Sequence, residues 1–330
     1  MVGSLSLAGA SENGFQSQGE ADVQKLMIRE ENQRLRWQSK LILLLVVPWT
    51  AISVVLQGYW WTMHEPVVTW TTVGISVVFA LTVWKLRAGT VGAAATGGLI
   101  TASLMFSTIR YPYEWSWLHG GLPPLIAVFV LTFAATKIGR AKKERLGTAE
   151  SKRGRNAAQV AANLGVAALA AYPLVVSAPE RILQTSFQAI ASFSALAALA
   201  EAAADTVSSE IGQIMGGQPR LITTLRRVEP GTDGGITAAG TLAGVAAAFL
   251  VTAVGFWSMR GSRGVASYWV SITLCAIGGV FGLLFDSLLG ATLERRQWLN
   301  NDAVNFLSTL SAVLFSIAVV AIVTWKSGHS

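Results

Sequence analysis

Apolar residues gather along this chain in runs of about 20, the length a helix needs to cross a bilayer core. Short stretches holding most of the charge separate them. Nine runs are predicted as membrane spans, at roughly 41–60, 67–86, 90–108, 121–138, 157–177, 186–205, 236–258, 267–289 and 303–325. The third and sixth are the weakest, being rich in Gly, Ala or Thr or ending in carboxylates. Residues 1–40 are polar: a Gly/Ser stretch, then a charged, helix-prone piece from Glu20 to Lys40. They lack the early apolar core of a cleavable signal peptide, so the first span reads as a retained anchor. The pattern predicts an all-α polytopic membrane helix bundle over 41–330. The polar segment 1–40 is expected to be cytosolic, partly disordered or an amphipathic helix on the membrane surface.

Composition agrees and narrows the function classes. Of 330 residues, 52% are hydrophobic and only 13% charged, against about 25% charged in a soluble domain. So few ions cannot cover a water-facing surface, which excludes a soluble enzyme, a disordered chain and a disulfide-rich module. The one cysteine, Cys275, sits in an apolar run and reads as packing. His64, His119 and His329 lie far apart without metal-ligand spacing.

The net charge of +7 first suggests nucleic acid. Topology accounts for it instead. With the N-terminus cytosolic, nine alternating spans put 20 Lys and Arg in cytosolic stretches and five outside, the asymmetry of the positive-inside rule. The C-terminus then lies outside, and nucleic acid drops out. Ten of the twelve tryptophans (Trp37, Trp60, Trp61, Trp84, Trp115, Trp117, Trp257, Trp269, Trp298 and Trp325) fall near predicted span ends, as an interfacial belt would. Gly240-Thr-Leu-Ala-Gly244 and Gly278-Gly-Val-Phe-Gly282 have the spacing of close helix contacts.

Against that background, carboxylates inside spans stand out. An Asp near a helix centre costs about 2.5–3.5 kcal/mol on insertion scales, so it normally faces a polar site. In span six, Glu201, Asp205, Ser208 and Ser209 stack on one face at i, i+4, i+7 and i+8. Asp205 is expected about 28 Å below the start of that span, and Asp286 about 27 Å along span eight. Two helices thus bring a carboxylate to one depth on one side. Between them runs Pro230-Gly231-Thr-Asp233-Gly234-Gly235, a turn ahead of span seven. Such a turn can expose N–H groups to an anion at a helix start, and Asp233 could hold a cation bridging to it. Lys137, Arg153 and Arg155 add cations after span four, with Gln159 and Asn163 four residues apart.

Clustered Asp, a Gly-rich turn and basic residues on one membrane face suit Mg²⁺ and phosphate oxygens. No P-loop pattern is present in the sequence, and every His maps to the outer side. Phosphoryl transfer depends on charge stabilisation and alignment more than on covalent help. An acceptor that is itself a phosphate monoester is already anionic near neutral pH and needs no strong base.

Several motifs, in order, carry a resemblance: Thr136-Lys137, Arg155-Asn-x-x-Gln159-Val-x-x-Asn163, Ala-Asp205-Thr-Val-Ser-Ser-Glu210-Ile-Gly, Pro-Gly231-Thr-Asp-Gly-Gly235, Asp286-Ser-Leu-Leu-Gly290-Ala-Thr-Leu-Glu and Leu-Asn300-Asn-x-x-Val-Asn305. Together, over about residues 67–325, they resemble the integral-membrane family long labelled as a domain of unknown function, also called the transmembrane-protein-nineteen family. Its best-known member type is the phytyl-phosphate kinase of tocopherol biosynthesis. The resemblance implies an isoprenyl-phosphate kinase that uses a nucleoside triphosphate, CTP being the one expected from the family. On this chain, residue type and placement rather than the family make Asp205, Asp233 and Asp286 the expected Mg²⁺ ligands, forming the catalytic set with Lys137. Arg153, Arg155, Asn163, Ser209, Glu210, Gly231, Gly234, Gly235, Asn301 and Asn305 would hold the phosphates. Thr206-Val207 stands where Thr-Trp is expected in many members, a change that bears on packing. A transporter or flippase of a lipid phosphate is the alternative, and its binding groups would belong near the bilayer midplane. A non-catalytic scaffold would have little use for so many polar intramembrane groups.

Overall fold

The computed structural model describes residues 35–109, 120–171, 181–215, 217–258 and 265–327. Each predicted span has a helix at its place. They are α1 (Arg36–His64), α2 (Pro66–Lys85), α3 (Val91–Thr108), α4 (Leu122–Lys137), α6 (Ala157–Ala171), α7 (Arg181–Met215), α8 (Ala238–Ser258), α9 (Val265–Leu289) and α10 (Asn301–Ser327). A short α5 (Arg140–Leu146) follows α4 at an angle of 64°. Strands β1 (Arg220–Leu221) and β2 (Gly235–Ile236) pair antiparallel and close the loop between α7 and α8.

Among the described residues, seven helices are long and apolar enough to cross a membrane, or eight if the bent pair α4–α5 is one span. The ninth, α6, has 15 described residues, and the end of its predicted run lies outside the described residues. The expected segment 1–40 likewise falls mostly outside them, with α1 starting at Arg36.

The interior mixes alanines, leucines and small polar side chains, while many large apolar side chains face outward, as lipid solvent allows. Leu44, Val55, Val77, Val78, Leu242 and Leu314 are exposed, whereas Thr50, Ser53, Thr72, Thr101, Ser103 and Thr252 are buried. At the centre stands α7, packed against α4, α6, α8, α9 and α10. Its span is 78% buried, against 22% for the peripheral α2. Alanine and glycine make this closeness possible. A Cβ on Gly244 would meet the Ala204 carbonyl oxygen at 2.7 Å, and one on Gly279 would meet the Ala200 Cβ at 2.8 Å. The two glycine motifs of α8 and α9 are therefore packing seams against α7, as their spacing predicts.

One end differs from expectation. Span six was predicted to stop at Asp205, but α7 continues ten residues further, to Met215. No proline intervenes before Pro219, and Glu210 further along is paired in the structure, so the helix has no reason to stop at Asp205. Asp205 consequently lies within the helix. Of the tryptophan belt, Trp37, Trp84, Trp257, Trp269 and Trp298 are exposed, while Trp61 packs inside with Val68 and Phe106. Trp115 and Trp117 lie outside the described residues. Cys275 is free, fully buried, and donates to the Phe193 carbonyl at 3.4 Å.

A leucine at Gly244 should overpack the α7–α8 seam and cost about 1–3 kcal/mol. A lower thermal unfolding midpoint of the detergent-purified Gly244→Leu protein checks this.

Candidate functional site

A polar cavity of about 550 Å³ opens between α5, α6, α7, α8, α9, α10 and the β1–β2 loop. Twelve of the fourteen sequence-predicted site residues line it: Asp205, Asp233, Asp286, Arg155, Asn163, Ser209, Glu210, Gly231, Gly234, Gly235, Asn301 and Asn305. Lys137 and Arg153 do not. Lys137 is exposed at the end of α4, with Nζ 5.1 Å from the centre of the Phe133 ring, beside a second cavity. Arg153 is exposed in the loop after α5.

Asp205 and Asp286 come from facing helices and interact directly, and Arg155 is the cation acting on Asp205. The Oδ2 atom of Asp286 is buried without a hydrogen-bond partner. Such an orphan costs free energy unless something else satisfies it. Asp233, from the Gly-rich turn, lies near Glu294 and Arg295, and Glu294 in turn lies near Asp205 and Asp286. Partial desolvation pushes the Asp233 carboxyl above the ordinary aspartate range, and the Arg295 guanidinium opposes that shift.

Among the described residues, no group of three or more His, Cys, Asp and Glu is gathered to hold a metal by itself. The expected trio therefore divides into a pair, Asp205 with Asp286, and a separate Asp233. A pair still suits Mg²⁺, which is bound through one or two carboxylates plus substrate phosphates and keeps waters. The unpartnered Asp286 oxygen is what such an ion would satisfy.

The basic wall is built by backbone. Arg155 N–H donates to the Ala88 carbonyl at 3.0 Å, and Thr90 N–H donates to the Arg155 carbonyl at 2.9 Å. Gly154 sits at φ +73°, and a side chain there would strike the Ala88 backbone, so only glycine lets the two loops meet. Arg155 Nη2 then donates to Thr206 Oγ1 at 3.1 Å, which aims the guanidinium at α7.

The Gly-rich turn is folded back on itself. Gly235 N–H donates to the Thr232 carbonyl at 2.9 Å, and Thr232 N–H to the Glu229 carbonyl at 3.2 Å. The start of α8 is capped by Thr237, whose Oγ1 accepts from Gly240 N–H at 3.1 Å. Two of the turn's amides are thus engaged internally, and the turn also presents the Asp233 side chain to the cavity. Gly234, at φ +74°, lies so close to Ala291 that any side chain would collide with its backbone. At that contact α9 passes into a π-helical turn, Gly290–Glu294, a feature frequent at functional sites. It turns Glu294 into the cavity.

Two acidic residues prove structural. Glu201, on the Asp205 face of α7, accepts from Ser308 Oγ and Thr309 Oγ1 at 2.6 Å each, tying α7 to α10. Glu210 lines the cavity but accepts from Thr136 Oγ1 at 2.9 Å and pairs with the buried Lys143 at 2.5 Å. Lys143 Nζ also donates to the Ala135 carbonyl at 2.7 Å. It thereby satisfies an orphan carbonyl at the end of α4 and fixes the α4–α5 bend. Asn300 is structural as well: its Oδ1 caps Ala303 N–H at 2.9 Å, and its Nδ2 reaches the Leu35 carbonyl at 2.9 Å. It leaves Asn301 and Asn305, one turn apart, to face the cavity.

Sequence reasoning passed over Glu294, Thr206, Lys142, Thr148 and Gln213 as site residues. Glu294 follows Asp286 by eight residues, a spacing that signals a shared face. The loop residue Thr148, bonded to Gln213 at 2.6 Å, carried no such signal.

Comparison with known proteins gives a family match, described as integral membrane protein DUF92, over residues 74–313. An uncharacterized membrane protein of Methanocaldococcus jannaschii, MJ0933, is 42% identical over 125 residues, 38% of this chain and 49% of that protein. Protein VTE6, chloroplastic, of Arabidopsis thaliana is 31% identical over 225 residues, 66% of this chain and 62% of that one. Protein PGR of Arabidopsis thaliana is 32% identical over 268 residues, 69% of this chain and 89% of that one. The chain thus spans about half of the first relative's length and 62% of the second's. No solved structure matches.

Removing one member of the Lys143–Glu210 pair strands the other in the interior, at a cost of about 3–5 kcal/mol. Lys143→Met should therefore lower the unfolding midpoint sharply, and adding Glu210→Gln should recover part of the loss in a double-mutant cycle.

Proposed function

The chain belongs to the integral membrane protein family DUF92, and we propose that it is an isoprenyl-phosphate kinase. It would convert an isoprenyl monophosphate and a nucleoside triphosphate into an isoprenyl diphosphate and a nucleoside diphosphate. One observation carries the reading: the Asp205–Asp286 pair, with its unpartnered carboxylate oxygen, lies in a polar cavity walled by Arg155 and intramembrane amides. The resemblance to the family of phytyl-phosphate kinase supplies the substrate class.

In this reading a phosphate oxygen of the lipid attacks the γ-phosphorus of the nucleotide. The new P–O bond forms as the bond to the β,γ-bridging oxygen breaks, and the nucleoside diphosphate leaves with the electron pair. The dianionic acceptor has no proton to lose, which suits a cavity that His64, the described histidine, does not line. Asp205 and Asp286 would hold Mg²⁺, which neutralises phosphate charge when bound. Asp233 and Glu294 line the same cavity. Arg155 orients the lipid phosphate, while Asn163, Asn301 and Asn305 donate to phosphate oxygens. The amides and the guanidinium keep the reacting groups aligned, the main requirement of this chemistry. CTP is the nucleotide we would test first, with the basic face of the bundle in the cytosol.

A transporter or flippase of lipid phosphates is a second reading, favoured by two features. Asp205 lies well inside α7, and α9 passes into a π-helical turn four residues after Asp286, irregular backbone beside a polar site as at many transporter sites. Movement of lipid phosphate across vesicles without nucleotide would support it.

Asp205→Asn and Asp286→Asn should each lower turnover of farnesyl or geranylgeranyl monophosphate by about a hundredfold or more, with the fold retained. Radiolabel transfer from γ-labelled nucleotide measures this. Absence of a diphosphate from the unmodified protein with every lipid and nucleotide pair overturns the kinase reading. Arg155→Ala should raise KM for the lipid about tenfold and change KM for the nucleotide less.

A further inference from the structure

A second cavity adjoins the polar one. Its walls come from α2, α3, α4 and α6, and it shares Glu150, Arg155 and Asn163 with the polar cavity. Its interior is apolar and aromatic. Phe79 meets Phe129 edge-on at 5.4 Å, and Phe129 stacks on Phe133 at 5.7 Å. Leu125 and Val128 are buried behind them. Its rim is basic: Arg87, Lys137 and Arg140 join Arg155 there. Along α4 the space runs from Lys137 at the rim to Leu125, twelve residues away, which is about 18 Å of helix.

From this juxtaposition we infer that the apolar cavity is the binding site for the hydrocarbon tail of the lipid phosphate. The inference rests on the kinase reading for the identity of the head group, and it deepens that reading. An isoprenyl monophosphate is a dianion joined to a branched, unsaturated hydrocarbon, and its site must join a cationic chamber to an apolar one. The two cavities meet at Arg155 and Asn163, where a phosphate on its way to Asp205 and Asp286 would lie. The arrangement also gives Lys137 a place. It is a rim cation over the tail cavity, attracting the head group at entry, rather than a group at the reacting atoms.

Gly97 keeps this cavity open. A Cβ there would have a single neighbour within 4 Å, the Val160 Cγ1 at 3.9 Å. Gly97 lies eight residues beyond Gly89, the residue bridged to Arg155, so it sits about 12 Å into the membrane part from the rim. A larger side chain at Gly97 fills the passage partway and leaves the head-group chamber untouched. It is therefore a specificity-determining position for chain length.

The test compares the unmodified protein with Gly97→Leu and Gly97→Ala, using geranyl, farnesyl and geranylgeranyl monophosphates with nucleotide and Mg²⁺. Gly97→Leu should lower kcat/KM for the geranylgeranyl substrate by about tenfold or more while leaving the geranyl substrate within about twofold. Gly97→Ala, which fits the space, should lie between. Retained geranyl activity certifies the fold. An equal loss on all chain lengths, or no change, in an active protein overturns the tail site and leaves the kinase reading standing.

A second measurement is independent of turnover. A photoreactive geranylgeranyl monophosphate should label the α3 and α4 peptides around Gly97 and Phe129, and unlabelled lipid should compete. That labelling in a protein without kinase activity supports the tail site and removes the kinase reading. Labelling confined to lipid-facing residues such as Leu44 and Val55 marks the space as an ordinary membrane crevice and overturns the inference.

Discussion

The close approach of helices to α7 is the constraint on which the rest depends. In lipid there is no hydrophobic force to gather helices, so packing and interior polar contacts must do it. The Ala-rich surface of α7 and the glycines Gly240, Gly244, Gly279 and Gly282 let backbones meet almost directly. That closeness brings α9 near enough for Asp286 to reach Asp205, and α10 near enough for Ser308 and Thr309 to satisfy Glu201. Larger residues along these seams would separate the two acidic helices and the cavity would lose its acidic pair.

Each buried charge in the bundle is answered differently. Glu201 is held by two hydroxyls, and Glu210 by Lys143 and Thr136. These pairings lock α10 to α7, and α5 to α7. Asp286 keeps an oxygen with no protein partner. The contrast separates acids that specify the fold from the acids left available for a ligand, because an unsatisfied buried oxygen persists only where something else offsets its cost.

The site sits where irregular backbone meets regular helices. The Gly154–Arg155 loop, the Gly231–Gly235 turn and the π-turn at Gly290–Glu294 each depart from regular α-helix, and each is clamped by a glycine contact. Non-helical backbone in such a bundle is tolerated where it is buried in protein or lines a polar cavity. All three segments line the polar cavity.

Hydropathy alone placed a helix at each predicted run, seven or eight of them long enough to cross a membrane among the described residues, because a bilayer allows few alternatives to a helix for such an apolar run. It also singled out Asp205, Asp286 and the amide ladders, since scarce polar residues in apolar runs are conspicuous and i, i+4 spacing fixes their shared face. Three-dimensional packing decided what a one-dimensional pattern could not. Glu201 and Glu210 look as functional as Asp205 in sequence, and only their partners from distant helices show them to be satisfied. Lys137 and Arg153 carry the right charge, yet the bend after α4 and the course of its loop turn them away from the polar cavity. The division of one expected site into a polar and an apolar chamber depends on where side chains from separate helices end. That is set by contacts between residues far apart in sequence, and no local spacing encodes them.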